Sequence, residues 1–211
     1  MRLYLGGEKF WMMMHLKNDC PICNSPDTKI FLTRRDVPVH QNLLMRDRQS
    51  ALEINRSDLI LAYCEKCGFV FNQAYDPSKL SYSSEYDNTQ TCSPLFDSYL
   101  SNLSDYLVKV RGVQQSRIIE VGCGKGQFLK RLVGFENAGN TGYGFDPSYI
   151  GPETELNGRL TFKKSFYNAE CANIPADMVV CRHVIEHVPD PLALLNAIKG
   201  ALKFSVAYVS Y

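Results

Sequence analysis

The chain has 211 residues, 45% of them hydrophobic and 11% aromatic, which is enough for a buried core and for two domains. Lys and Arg number 23 against 22 Asp and Glu, a net charge of +1 with no clustered basic face, which argues against a nucleic-acid partner. No apolar run approaches the length of a membrane span and no signal-peptide core is visible, so the eight cysteines read as metal ligands or buried thiols of a cytoplasmic protein rather than as disulfides.

Residues 1–17 mix apolar and polar positions around Gly6-Gly7-Glu8-Lys9 and read as a loose extension. A small β-rich module is expected over residues 18–75. Cys20-Pro-Ile-Cys23 opens it, Cys64-Glu-Lys-Cys67-Gly68 nearly closes it, and strand-like pieces lie at 29–33, 58–63 and 69–71. Each C-x-x-C turn can aim two thiolates at one metal, and two such turns complete a tetrahedral four-thiolate zinc site. Gly68 suits the tight turn after the second pair. Iron, a redox pair or free thiols are the alternatives; a redox pair would call for a thioredoxin-like βαβ setting, and neither pair has one. Cys92, Cys123, Cys171 and Cys181 stand alone and read as small buried hydrophobes.

Residues 76–115 are expected to form a connector and a helix. The first part is polar but carries Tyr82 and Tyr86. Ser93-Pro94 then has the form of an N-cap with proline at the first helical position, and Phe96, Tyr99, Leu100, Leu103, Tyr106, Leu107 and Val110 keep helical spacing as far as Gly112. From residue 116 the rhythm is strand, turn, helix. Strands are expected at 117–121, 142–145, 160–164, 177–181 and 205–211, with helices at 127–133 and 192–202. That alternation gives an α/β, Rossmann-like sheet of five parallel strands over residues 116–211.

The turn Glu120-Val-Gly-Cys-Gly-Lys-Gly126 lacks the G-x-G-x-x-G spacing of a dinucleotide loop and the Gly-Lys-Ser/Thr of a P-loop. Glu120 beside it would repel a pyrophosphate and welcome a ligand that is positive near its reacting end. Asp146, ending the next strand, is placed to accept hydrogen bonds from ribose hydroxyls. A nucleoside with a positive centre describes S-adenosylmethionine. Together with Gly142-Tyr-Gly-Phe-Asp146 and Asp177-Met-Val-Val-Cys-Arg-His-Val-Ile-Glu-His-Val-Pro-Asp190, the loop resembles the successive motifs of class I S-adenosylmethionine-dependent methyltransferases over residues 93–211. The resemblance implies donor binding at Glu120, Gly122, Gly124, Gly126 and Asp146, with Glu120 supporting the methionine end.

Residues 18–90 are similar in turn to the sugar C-methyltransferases, which join a four-cysteine zinc module to such a domain. That resemblance implies zinc at Cys20, Cys23, Cys64 and Cys67, a nucleotide-linked deoxysugar as acceptor, and Tyr82 and Tyr86 over the active site; packing of both tyrosines against the sheet is the plain alternative. C-methylation needs a base, and histidine is the natural candidate. The subgroup's Tyr-x-Glu-His motif is matched by Glu186-His187, but Val184 stands in the tyrosine's place. His183 is therefore the expected catalytic residue, with Glu186-His187 starting a helix. Methyltransferases of this class carry further strands, so the chain is expected to be a truncated form without activity of its own. O- or N-methylation of a small molecule, and a non-catalytic zinc and nucleoside binding module, are the other readings.

Overall fold

The computed structural model describes residues 18–40, 43, 45–80, 93–202 and 207–210. Tyr82, Tyr86 and Cys92 lie outside them. The chain divides into two compact units, residues 1–81 and 82–211.

The first unit is a three-stranded antiparallel sheet in the order β1-β2-β3, built from β1 (Thr28–Pro38), β2 (Arg56–Cys64) and β3 (Val70–Asn72), with a short helix α1 (Arg48–Leu52) capped by Asp47 between the first two strands. Ile60, Ala62 and Cys64 alternate inward along β2, as a strand with one covered face requires. The cysteine turns occupy one end of this sheet. Cys64–Cys67 is the turn from β2 to β3, and Cys20–Cys23 precedes β1. The Glu65 N–H donates to the Asp27 carbonyl at 2.9 Å, which holds the two turns together.

In the second unit Ser93 caps α2 (Pro94–Asp105) by accepting the Phe96 N–H, and a π-helical turn, Tyr106–Val110, continues it to Gly112, where φ is +69°. The expected connector thus ends before this helix. Leu100, Leu107 and Val108 share one core with the sheet, so α2 belongs to the sheet's own unit. Then follow β4 (Arg117–Val121), α3 (Gln127–Gly134), β5 (Thr141–Phe145), β6 (Thr154–Glu155), β7 (Leu160–Lys163), β8 (Met178–Arg182), α4 (Pro191–Ala201) and β9 (Ala207–Ser210). The sheet has six strands in the order β6-β7-β5-β4-β8-β9; five are parallel, and β6 is a two-residue antiparallel strand on the β7 edge. The expectation of five parallel strands omitted β6, whose pairing is fixed by a Phe162 N–H to Glu153 carbonyl bond rather than by an apolar pattern.

Alternate residues of the central strands serve two cores. Ile118, Met178 and Val180 meet α2 and α3 on one face, while Ile119, Val179 and Cys181 meet α4 on the other. Strand order runs outward from β4 through β5 to β7, then restarts at β8 on the other side of β4. That reversal opens a crevice beyond the carboxyl ends of β4 and β8, where open α/β sheets bind ligands.

Candidate active site

A cleft of about 320 Å³ lies at that reversal, within the ordinary size range of a small-molecule site. Its floor is the loop from Glu120 to Gln127; Phe145–Ser148 form one wall and Arg182–Val184 the other. Ile150 and Phe166, 63% and 65% exposed, line it with apolar surface suited to a planar ring.

The loop's shape follows from its neighbours. A Cβ on Gly122 would stand 2.2 Å from Cγ2 of Val184, so a side chain there has no room, and φ is +67°. At Gly124 φ is +55° and nothing lies within 4 Å of where a Cβ would be, leaving bare backbone for a ligand to approach. Gly126 is also left-handed and begins α3.

Asp146 ties the loop to β5. Its Oδ2 accepts the Gly124 N–H at 2.8 Å, and its Oδ1 accepts the backbone N–H and hydroxyl of Ser148 at 2.8 and 2.6 Å. A carboxylate has about four acceptor positions, so one remains for a ligand hydroxyl.

Glu120 is not available in the manner expected from the sequence. It is 2% exposed, and both oxygens are committed: Oε2 to the Leu129 N–H at 3.1 Å and Oε1 to Arg182 Nη2 at 3.2 Å. It therefore satisfies an orphan donor in the first turn of α3, whose N-cap Gly126 has no side chain to do so. Burial pushes its carboxyl up to about 7 against the pull of the Arg182 guanidinium and the Leu129 N–H. Arg182 balances it in charge, so the acid does not set the sign of the ligand by itself. Arg182, which also lies over the Phe128 ring at 4.0 Å, is the charged residue that sequence reasoning missed. Its signal was an arginine ending the apolar run Met178–Cys181, one strand from an acid in the equally apolar Arg117–Val121.

His183 follows β8 directly and is exposed to solvent, with φ at +54°, a strained setting for a residue with a side chain, and it lines the cleft. Glu186 and His187 do not start the helix as expected. They form a single 3-10 turn, Ile185–His187, and α4 begins at Pro191 with Asp190 accepting the Ala193 N–H. Capping by Asp190 and the proline after it fix the helix start there. His187 lines the same cleft as His183.

In the first unit the Sγ atoms of Cys20, Cys23, Cys64 and Cys67 all lie within 4.8 Å of one another, with Cys20–Cys67 and Cys23–Cys64 each at 3.6 Å. Four thiolates about 2.3 Å from one zinc would be separated by about 3.8 Å, whereas a disulfide requires about 2.05 Å. The sulfurs therefore fit one tetrahedral metal. The two turns match bond for bond. Cys20 N–H donates to Ser25 and Cys64 N–H to Phe69, while Asn24 N–H donates to Cys20 and Gly68 N–H to Cys64, each at 2.9 Å. Asn24 and Gly68 both take positive φ, +53° and +76°. Burial raises the Cys64 thiol, but the Cys67 and Lys66 N–H groups outweigh it and bring it down to about 7. In the second unit Cys123 and Cys181 are buried and Cys171 is half-buried.

The family profile described as "Methyltransferase domain" matches residues 93–209. Over 107 residues the chain is 32% identical to the ubiquinone biosynthesis O-methyltransferase of Vibrio cholerae serotype O1, covering 48% of this chain and 43% of that protein. It is 29% identical over 142 residues to the protein of the same name from Vibrio campbellii, covering 62% and 60%. The chain thus spans about half the length of these relatives. Among solved structures, the magnesium protoporphyrin IX methyltransferase ChlM from Synechocystis PCC 6803 with bound SAM aligns over 51% of this chain and 55% of its own, at 20% identity and a TM-score of 0.41.

Proposed function

Because the chain belongs to the methyltransferase-domain family, matched over residues 93–209, we propose that it serves methyl transfer from S-adenosylmethionine to an oxygen of a small-molecule acceptor. The observation that carries this reading is the glycine loop tied to Asp146 at the sheet's reversal point. The residues present fit the donor: bare backbone at Gly124, one free acceptor position on Asp146, and apolar surface from Ile150 and Phe166 for an adenine. When bound, the donor supplies an electrophilic methyl carbon on its sulfonium. Gly122, Gly124 and Gly126 shape the backbone against which it lies, and Asp146 accepts from a ribose hydroxyl. His183, at the cleft mouth, takes the proton from the acceptor hydroxyl as that oxygen attacks, and positioning does the rest.

Oxygen is preferred over carbon because the relatives are O-methyltransferases and because Val184, packed on Gly122, stands where the sugar subgroup would place a tyrosine. C-methylation of a nucleotide-linked deoxysugar is the second reading, favoured by the four-thiol cluster of the first unit. There Cys20, Cys23, Cys64 and Cys67 would hold one structural zinc, cross-linking the two turns without entering the reaction. Tyr82 and Tyr86 keep their proposed place beside the acceptor in that reading.

Incubation with methyl-labelled donor and two acceptor sets, phenols and nucleotide-linked deoxysugars, followed by NMR of the product, decides between the readings. A labelled methyl ether supports oxygen, and a methyl on carbon supports the second reading. Absence of labelled product from either set, with donor bound, would remove both acceptor classes.

A further inference from the structure

A helix on the outside of a domain needs one apolar face, toward the core, and a polar face toward water. α2 and its π-helical turn are apolar on both. Leu100, Leu107 and Val108 are buried in the core. On the solvent side Leu95, Tyr99, Tyr106 and Val110 stand 83%, 43%, 45% and 69% exposed. Their spacing keeps all four on one line along the helix, a stripe about 22 Å long. The line itself carries no charge, and the acids beside it have their bases within the chain: Asp105 pairs with Lys109 at 2.9 Å, and Asp97 pairs with Arg131. The order of residues reads alike from either end, aliphatic at 95 and 110 and tyrosine at 99 and 106, with Asn102 and Leu103 at the midpoint.

We propose that this stripe joins two copies of the chain, α2 against α2, antiparallel about a two-fold axis beside Asn102. In such a pair residue i of one copy meets residue j of the other and j meets i, so the patch has to complement itself. The stripe does so: Leu95 of each copy lies against Val110 of the other, and Tyr99 against Tyr106. A parallel pair asks for no such symmetry in the sequence, and it would align the helix dipoles that an antiparallel pair opposes. Each tyrosine covers apolar surface with its ring and keeps its hydroxyl at the wet rim. Charge points to the same occupant. The bordering acids are already neutralised, so nothing there selects a partner of opposite sign, whereas a second uncharged stripe meets the first with no like charges opposed. Size sets the strength. Four side chains at these exposures offer roughly 500 Å² per copy, so pairing buries about 1,000 Å², the low end for a specific association. The dimer is therefore a dissociable one.

Sedimentation velocity on the full chain, purified without chelator, tests this. The wild type should pass from monomer to dimer with a midpoint at about 10–100 µM, and no larger species should form, since such a pair closes on itself. Leu95→Glu and Val110→Glu, at exposed helical positions that accept a glutamate, should each raise that midpoint by about tenfold or more. Leu52→Glu, at a 59% exposed position of α1, should leave it unchanged. Orientation is read by mild oxidation of single-cysteine additions. Asn102→Cys should cross-link to its own copy, whereas Leu95→Cys should cross-link only when mixed with Val110→Cys. A wild type that stays monomeric to millimolar concentration overturns the proposal and leaves the stripe to another segment of the chain or to a different protein. A dimer that neither glutamate weakens, an assembly larger than two, or self-linking of Leu95→Cys, which a parallel pair would give, overturns it as well.

Discussion

Glu120 sits between the first turn of α3 and the Arg182 guanidinium, and burial holds its carboxyl up at about 7. In the unfolded chain a glutamate ionises near about 4.3. Between those values the folded chain keeps a proton that the unfolded chain has lost. The stability contributed by this group is therefore complete below about pH 4.3 and is lost as pH rises through about 7. Measured by denaturant unfolding, the stability of the wild type relative to Glu120→Gln should fall across that window; a difference that grows with pH would contradict it. His183 is the residue placed to move a proton. His183→Ala should leave donor affinity near normal and lower turnover by about 10²–10⁴-fold, with His187→Ala costing less, as steady-state kinetics on an active preparation would show. A larger loss for His187 would exchange their roles, which their shared cleft permits.

At the scale of elements, the glycine loop and β8 are built against each other through Gly122 and Val184. Gly122→Ala introduces a clash at 2.2 Å together with an unfavourable φ of +67°, and should cost about 1–3 kcal/mol in chemical denaturation. Val184→Ala in the same chain should recover part of that loss but not the backbone share; full recovery or none would show that the contact is not the cause. The elements that were legible in the sequence are those whose own residues impose them. β4 and β8 are largely apolar strands buried on both faces, and Ser93-Pro94 announces a helix start. Elements fixed by distant partners were not legible. β6 exists through its pairing with β7, and the 3-10 turn at Ile185–His187 replaces an expected helix start because Asp190 caps the helix later. The equivalence of the two cysteine turns was half visible: Gly68 signalled its left-handed position, whereas Asn24, which adopts the same conformation, did not. Gly122, Gly124 and Asp146, expected from the motifs to bind the donor, lie together in the cleft, but Glu120 is turned inward and its partner Arg182 emerges only when β4 and β8 are laid side by side.

At the scale of the molecule, each unit has its own stabilising centre. The second has two apolar cores on either side of a six-stranded sheet, while the first has a three-stranded sheet with Ile30, Phe31 and Val70 about half exposed and four thiols gathered at one end. Metal binding and folding should be coupled in the first unit alone. Hydrogen exchange after chelation should lose protection at residues 56–72 and keep it at 117–121 and 178–182. Uniform loss, or none, would contradict that division; one zinc per chain by elemental analysis should accompany the intact state. Calorimetry of S-adenosylhomocysteine against the wild type and Asp146→Asn, with ATP as control, tests whether the crevice at the β4 and β8 reversal binds a nucleoside donor. The expected result is one saturable site per chain, weakened about tenfold or more by the substitution, and no comparable heat from ATP. Equal affinity of the two proteins for S-adenosylhomocysteine, or preferential binding of ATP, would contradict it.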